Sequence, residues 1–327
     1  MPYEVNLRQL FSPKAVAETL QKLGEMPTPV MDAVFATRQT WPLPVIARSE
    51  IEKTIGNQPV VRRGAPSLNV DEGTLSFDFI EPQPIALSTN VSAAELNNLK
   101  MLNAQGLNAW RAEEIADMRR MIRLTTEAMC AQSLTGKIQY PMHYEGGYTY
   151  YEVDYGTPLS YTPPKTWDTA EMSDVLLDLV NMSTLIRRTR GYGARLRIFA
   201  GAQAFATLAG KIIALVSENV RFSAQVDAQG INVAGFRIEL LNTSYRDHKA
   251  GTEVPAVDEK KIVMVATDAP HRLYYLAIDD LDAGLQATPM FVKPVKSDDP
   301  SGYKLIAQSK PLPVPVPQAI CWAQVLS

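Results

Sequence analysis

Apolar and polar positions lay out the elements of this chain in order. Leu75, Phe77 and Phe79 alternate with Ser76 and Asp78, and a second apolar stretch runs from Ile85 to Val91. Period-2 alternation marks a strand with one buried face. With the turn Glu81-Pro82-Gln83-Pro84 between them, the two stretches predict a hairpin. An isolated two-stranded hairpin is marginal in water, and little neighbouring sequence could cover it. The pattern therefore predicts a projecting hairpin that rests on another molecule. Ser92 follows as an N-cap, with Glu95 completing a capping box. From Leu107 to Leu134 the period changes. Ile115, Met118, Ile122, Thr125 and Met129 fall at 3-4-3-4 spacing, one face of a helix about 42 Å long. Glu114, Asp117, Arg120 and Glu127 are expected elsewhere on its surface, and Gly136 ends it.

Residues 1–48 predict an extended arm. They hold one short amphipathic stretch, Pro13–Leu23, and Pro27, Pro29, Pro42 and Pro44 prevent a continuous helix. With no second apolar layer, the arm is expected to be ordered only by neighbouring molecules. Beyond Gly136 comes a β-rich stretch, Lys137–Leu159, turning at Gly146-Gly147. A second helix, Thr169–Arg190, stops at Gly191, and Arg195–Phe199 alternates as a strand. Two short helices, Gln203–Ala209 and Lys211–Asn219, precede strands Ile231–Leu241 and Lys261–Thr267, which a polar loop, Asn242–Glu259, connects. The chain ends in strand-like stretches at Pro289–Val295, Gly302–Gln308 and Gln318–Leu326. No βαβ alternation and no repeat is present. The fold class is α+β, with strands from both ends of the chain sharing a sheet.

Composition narrows the function classes. The chain has 327 residues, with Lys+Arg 32 against Asp+Glu 35, a net charge of −3. A mainly electrostatic nucleic-acid binder would show a basic excess. No apolar run approaches the ~20 residues of a membrane span, and the N-terminus lacks a secretory pattern. Cys130 and Cys321 are too few for a disulfide framework, which fits a reducing cytoplasm.

Catalytic chemistry finds no constellation. His143, His248 and His271 are far apart and lack metal-ligand spacing, so no metal and no cofactor is expected. Cys130 and Cys321 read as small core residues. Gly191-Tyr192-Gly193 follows a helix rather than a strand and reads as a helix C-cap, not a phosphate loop. Asp279, Asp280 and Asp282 miss the EF-hand spacing and read as a solvated turn. Pro311–Pro317 reads as a rigid connector into the last strand. Two arginine groups remain: Arg119, Arg120 and Arg123 on the long helix, and Arg187, Arg188, Arg190, Arg195 and Arg197 around the second helix end. Surface charge is the plain explanation; in an assembling subunit they would pair with a neighbour's carboxylates.

The order of elements, together with several local stretches, resembles the tailed-bacteriophage major capsid proteins of the lambda type. Val61-Arg62-Arg63-Gly64 is similar to the Arg-Gly stretch opening that family's extended hairpin loop. Glu127–Lys137 resembles the end of its spine helix, and Gly235–Leu241 with Lys261–Met264 resembles the paired strands of its axial domain. The closing Gln308-Ser309 and Pro311 before a final strand are also similar. The resemblance implies an N-terminal arm (1–48), an extended hairpin loop (49–92), a peripheral domain with the spine helix (93–168), an axial domain (169–285) and a return to the peripheral domain (286–327). It implies pentamers and hexamers in an icosahedral shell, portal and scaffold proteins as partners, and double-stranded DNA held by weak non-specific contact. The shell would be a virion capsid assembled in the host cytoplasm, with no membrane partner, and a decoration protein at three-fold sites stays open. Arg62, Arg63, Gly64, Phe77, Phe79, Arg119, Arg120 and Arg123 are the expected inter-subunit contacts. A nanocompartment shell of the encapsulin type, enclosing protein cargo, is the alternative.

Overall fold

The 3-4-3-4 stripe becomes a 30-residue helix, Ala104–Ser133. Asn103 caps it by accepting a hydrogen bond from the Gly106 amide at 2.8 Å. Ile115, Met118, Ile122 and Met129 are buried as the spacing requires, while Thr126 rather than Thr125 is the buried threonine. The capping box at Ser92 and Glu95 opens a separate short helix, Ala93–Leu99. The computed structural model describes residues 6–24, 26–51, 78–217, 224–226, 230–298 and 300–327.

The main sheet has seven strands in the order Leu159–Tyr161, Ile320–Gln324, Lys261–Ala266, Leu196–Ala200, Phe236–Leu240, Gly230–Val233 and Ala224–Val226. Lys261–Ala266, third in that order, is apolar from Ile262 to Ala266 because both of its faces are covered. Ile262, Met264 and Ala266 pack under the helices Met172–Arg190 and Ala202–Ser217, whose Leu179, Met182, Ile186 and Leu208 fill that side. Val263 and Val265 face the opposite side, where Cys130 and Leu134 from the end of the long helix meet Val30, Met31 and Phe35 of the arm. The second layer is a three-stranded antiparallel sheet, Phe291–Asp298, Ser301–Ser309 and Ile85–Ser92. It packs on the first half of the long helix and on Leu7, Phe11 and Val16. Strands from both ends of the chain thus share sheets, and the α+β class holds.

Several expectations are corrected. Among the described residues, the two stretches flanking Glu81–Pro84 do not pair with each other. Phe79-Ile80 pairs with Ile46-Ala47, and Ile85–Ser92 pairs with Ser301–Ser309. The apolar side of Ile85–Ser92 is covered by the arm and the long helix, and residues 52–77, which hold most of the first predicted strand, lie outside the described residues. The arm, expected to stay loose, is packed on its own chain: Leu7, Phe11, Val30, Met31 and Phe35 are buried, and Thr37–Trp41 pairs parallel to Arg272–Leu276. The last strand has no sequence-level expectation. The two short helices are one, Ala202–Ser217, since Gly210 has open space around it and does not break it. Ile231–Leu241 is divided into a hairpin by Ala234 and Gly235, both at positive φ. The polar loop Asn242–Glu259 holds the hairpin Ser244–Asp247 with Thr252–Pro255. Pro311–Val314 is a buried edge strand on Arg272–Leu276, where proline's missing N–H faces away from the sheet.

Histidine 271 reports on this core. It is buried. Its Nδ1 accepts from the Val316 amide at 3.1 Å, so Nε2 carries the proton toward the Ala266 carbonyl, also at 3.1 Å. Burial, only partly opposed by that carbonyl and by Asp268, pushes its pKa from 6.5 down to about 4. Between those values the unfolded chain binds a proton that the folded chain refuses. Stability is therefore full above pH 6.5 and is lost as pH falls toward 4. Going from pH 7 to pH 5 should cost about 2 kcal/mol. Urea unfolding of wild type and His271→Gln at both values checks this: the variant's loss on acidification should be smaller by about that amount, and equal losses would exclude His271 as the group.

Candidate functional site

The arm lies along one stripe of the long helix, and the stripe is polar. Arg119, Arg123 and Glu127 fall four residues apart, with Arg111 two turns earlier, so all face one direction. Arg111 donates to the Leu10 carbonyl at 3.2 Å. Arg119 donates to the Leu23 and Gly24 carbonyls at 3.4 and 3.3 Å. Arg123 reaches the Met26 carbonyl at 3.1 Å, the Thr28 hydroxyl at 2.7 Å and Asp32 at 3.4 Å. Glu127 accepts from the Val30 and Met31 amides at 2.7 and 2.8 Å. Each successive turn of the helix holds the next part of the arm. Leu23, Gly24 and Met26 follow the end of the helix Pro13–Lys22, and Val30 and Met31 stand in the first turn of the helix Pro29–Ala33, so their carbonyls and amides are open for this use.

The charges follow from these contacts. Burial raises the Glu127 carboxyl above its usual range, against the pull of the two amides and of Arg123. Asp32 is less enclosed. Burial raises it too, but bonds from the Thr28 hydroxyl and amide and the Arg38 guanidinium outweigh that and lower it. A small cavity of about 520 Å³ opens at this seam between Leu23, Gly24, Met26, Pro27, Ala116, Arg119 and Arg120.

The expected contact residues divide among three settings. Arg62, Arg63, Gly64 and Phe77 lie outside the described residues. Arg119 and Arg123 bind the arm of their own chain, while Arg120 is exposed beside the cavity. Phe79 is 56% exposed. It lies next to Arg48, which donates to the Asp78 carboxylate at 2.8 Å and to the Asp154 carbonyl at 2.7 Å. Glu127, expected on the surface, is the most consequential miss. The capped pattern of Thr28 and Asp32 around Pro29 was the available signal.

Other candidates settle into structural roles. Cys130 and Cys321 are buried. Gly191 caps its helix at φ 75, and the amides of Gly193, Ala194 and Arg195 turn toward the Asp268 carboxylate at 3.1, 3.2 and 3.4 Å. The chain's own carboxylate thus occupies the loop. The acidic turn is neutralised rather than merely solvated: Lys293 bridges Asp280 and Asp282 at 2.7 and 2.8 Å, and Lys310, 2% exposed, meets Asp279 at 2.9 Å. Arg187 donates to the Gly193 carbonyl, and Arg197 and Arg237 both pair with Glu239. Among the described residues no cluster of three metal-ligating side chains occurs, and no helix is long and apolar enough to cross a membrane.

Exposed apolar side chains stand out on the helices. Met121 and Leu124 lie on the outer side of the long helix, and Leu177 and Val180 on the outer side of Met172–Arg190; each is about half exposed.

A family model described as phage major capsid protein E matches residues 12–325. No curated protein matches the chain in sequence. A protein assigned as the capsid protein of a prophage of E. coli CFT073 is similar in structure, with a TM-score of 0.66 at 18% identity, covering 98% of this chain and 99% of that one. A phage-related protein from Bordetella bronchiseptica RB50 is also similar, with a TM-score of 0.53 at 10% identity, covering 95% of this chain and 96% of that one. At these identities both likenesses are of fold.

Proposed function

Because this chain belongs to the phage major capsid protein E family, we propose that its copies assemble as pentamers and hexamers into an icosahedral head shell enclosing double-stranded phage DNA. The protein is a major capsid protein, a structural component of the virion shell. The encapsulin-like alternative is not favoured, because the matching family is a capsid family and spans nearly the whole chain. That family is a structural one, which fits a protein without enzymatic activity.

The finer assignments are part of the proposal. The five-part division at residues 48, 92, 168 and 285 is supported by the shared core of arm, long helix and the strands Phe291–Asp298 and Ser301–Ser309, while Leu159–Tyr161 and Ile320–Gln324 cross it by joining the seven-stranded sheet. Arg62, Arg63, Gly64, Phe77, Phe79 and Arg120 are assigned to contacts between subunits. Arg119 and Arg123 act on neighbours indirectly, through the arm they hold. Portal and scaffold proteins, and a decoration protein at three-fold sites, are the proposed partners, with assembly in the host cytoplasm. A net charge of −3 suits a wall that contains DNA without gripping it.

Electron microscopy and light scattering of the full chain, alone and co-expressed with a phage scaffold protein, test the proposal. Closed shells of uniform diameter are expected. A stable monomer as the sole product would overturn it.

A further inference from the structure

Strand edges are where a sheet can grow, and folded chains normally block them with charges, prolines, bulges or short length. Nearly every edge described in this chain carries such a device. Phe291–Asp298 has Lys293, Pro294 and Lys296; Pro311–Val314 has two prolines; Thr37–Trp41 has Arg38. The outer strands of the seven-stranded sheet are three residues long each. The two longer hairpins carry charge or proline in every strand. Ile85–Ser92 differs. It is eight residues long, the end strand of its sheet, and contains no charge, proline or glycine.

Among the described residues its backbone pairs only with Ser301–Ser309, leaving the other edge open. One side of the strand is packed all the same. Ile85, Leu87 and Val91 lie against the core of arm and long helix, while Ala86, Ser88 and Asn90 are exposed. A row of amides and carbonyls with no partner among the described residues, flanked by small uncharged side chains, has the form that a further strand completes.

We propose that this open edge pairs antiparallel with the same edge of a second copy, joining two three-stranded sheets into one across a two-fold axis. The inference rests on the capsid reading, which supplies the second copy. The occupant follows from charge and shape. The edge placed against itself brings Ser, Thr and Asn together with no like-charge repulsion, as a self-complementary two-fold contact requires. Every other long edge of a second copy would bring a lysine, an arginine, a carboxylate or a proline to the seam.

Two measurements on the full chain decide it. In hydrogen exchange, the outward amides of residues 86–91 should slow by more than about tenfold when subunits enter shells. In a scan of single cysteines from Ala86→Cys to Asn90→Cys, mild oxidation should trap disulfide-linked dimers, peaking at the position nearest the axis and falling on either side. Native Cys130 and Cys321 are buried and give a silent background. The variant Ser88→Lys/Asn90→Lys should melt as wild type does yet lose assembly. Particles that form with unchanged exchange over residues 86–91 would overturn the edge pairing and leave the capsid reading standing. If no particles form, the capsid reading falls, and cysteine trapping in solution still decides the pairing: no dimer at any position overturns it.

Discussion

Replacing Glu127 by alanine should destabilise the subunit by about 3–5 kcal/mol and release the arm. The carboxylate is buried and accepts two backbone amides, Val30 and Met31, at 2.7 and 2.8 Å. Bonds to a charged group are worth about 1.5–3 kcal/mol each, and removing the acceptor leaves both amides enclosed without partners. The loss also strips Arg123 of a nearby counter-charge. Because Met31 and Phe35 belong to the same core as Cys130, Leu134 and Phe199, the damage should spread beyond the arm. Chemical denaturation gives the magnitude, and limited proteolysis between Gly24 and Thr28 gives the location: the variant should be cut there at concentrations that spare wild type. A variant with wild-type stability and protection would show that the arm is held by its apolar contacts alone.

Gly136→Ala should cost a similar amount, about 3–5 kcal/mol, whereas Gly191→Ala should cost only about 1–2 kcal/mol. Both glycines end helices at positive φ, 83 and 75, where an L side chain carries about 1–2 kcal/mol of strain. They differ in surroundings. A Cβ on Gly136 would stand 1.9 Å from the Gly156 carbonyl oxygen, while Gly191 has nothing within 4 Å. The added term at Gly136 is a clash with backbone that cannot rotate away, of the order of overpacking costs. Thermal unfolding of the two variants separates the contributions. Equal losses would mean that the strands around Gly156 yield freely and that conformational strain is the whole effect.

These two sites also show how differently sequence and structure inform. Gly136 was legible as a helix end from its place after the last periodic residue, and so was Gly191. The long helix, its capping neighbours, the hairpin at Gly146-Gly147 and the α+β class came from spacings confined to a few turns. Cys130 and Cys321 as core residues and Gly191-Tyr192-Gly193 as a cap belong to the same local class. The family came from the order of those elements along the chain, and the match over residues 12–325 agrees with it.

Pairing across long separations was not legible in this way. Ile85–Ser92 has a strand pattern, but that pattern is equally satisfied by a partner just before it or by Ser301–Ser309, more than two hundred residues later; only packing chooses. Glu127 looks like any exposed helix carboxylate until Val30 and Met31, 97 and 96 residues away, are brought to it. The arm's prolines correctly announced a segment without one continuous helix, broken instead into Leu7–Leu10, Pro13–Lys22 and Pro29–Ala33, yet not that one helix stripe would bind the open groups at their ends. Arg272–Leu276 was hidden because a strand buried on both faces has no alternation to detect. Local periodicity, caps and glycines therefore determined which elements form and roughly where they end. The tertiary structure alone decided which edges are closed and which is left open, because that depends on what distant sequence arrives to cover them.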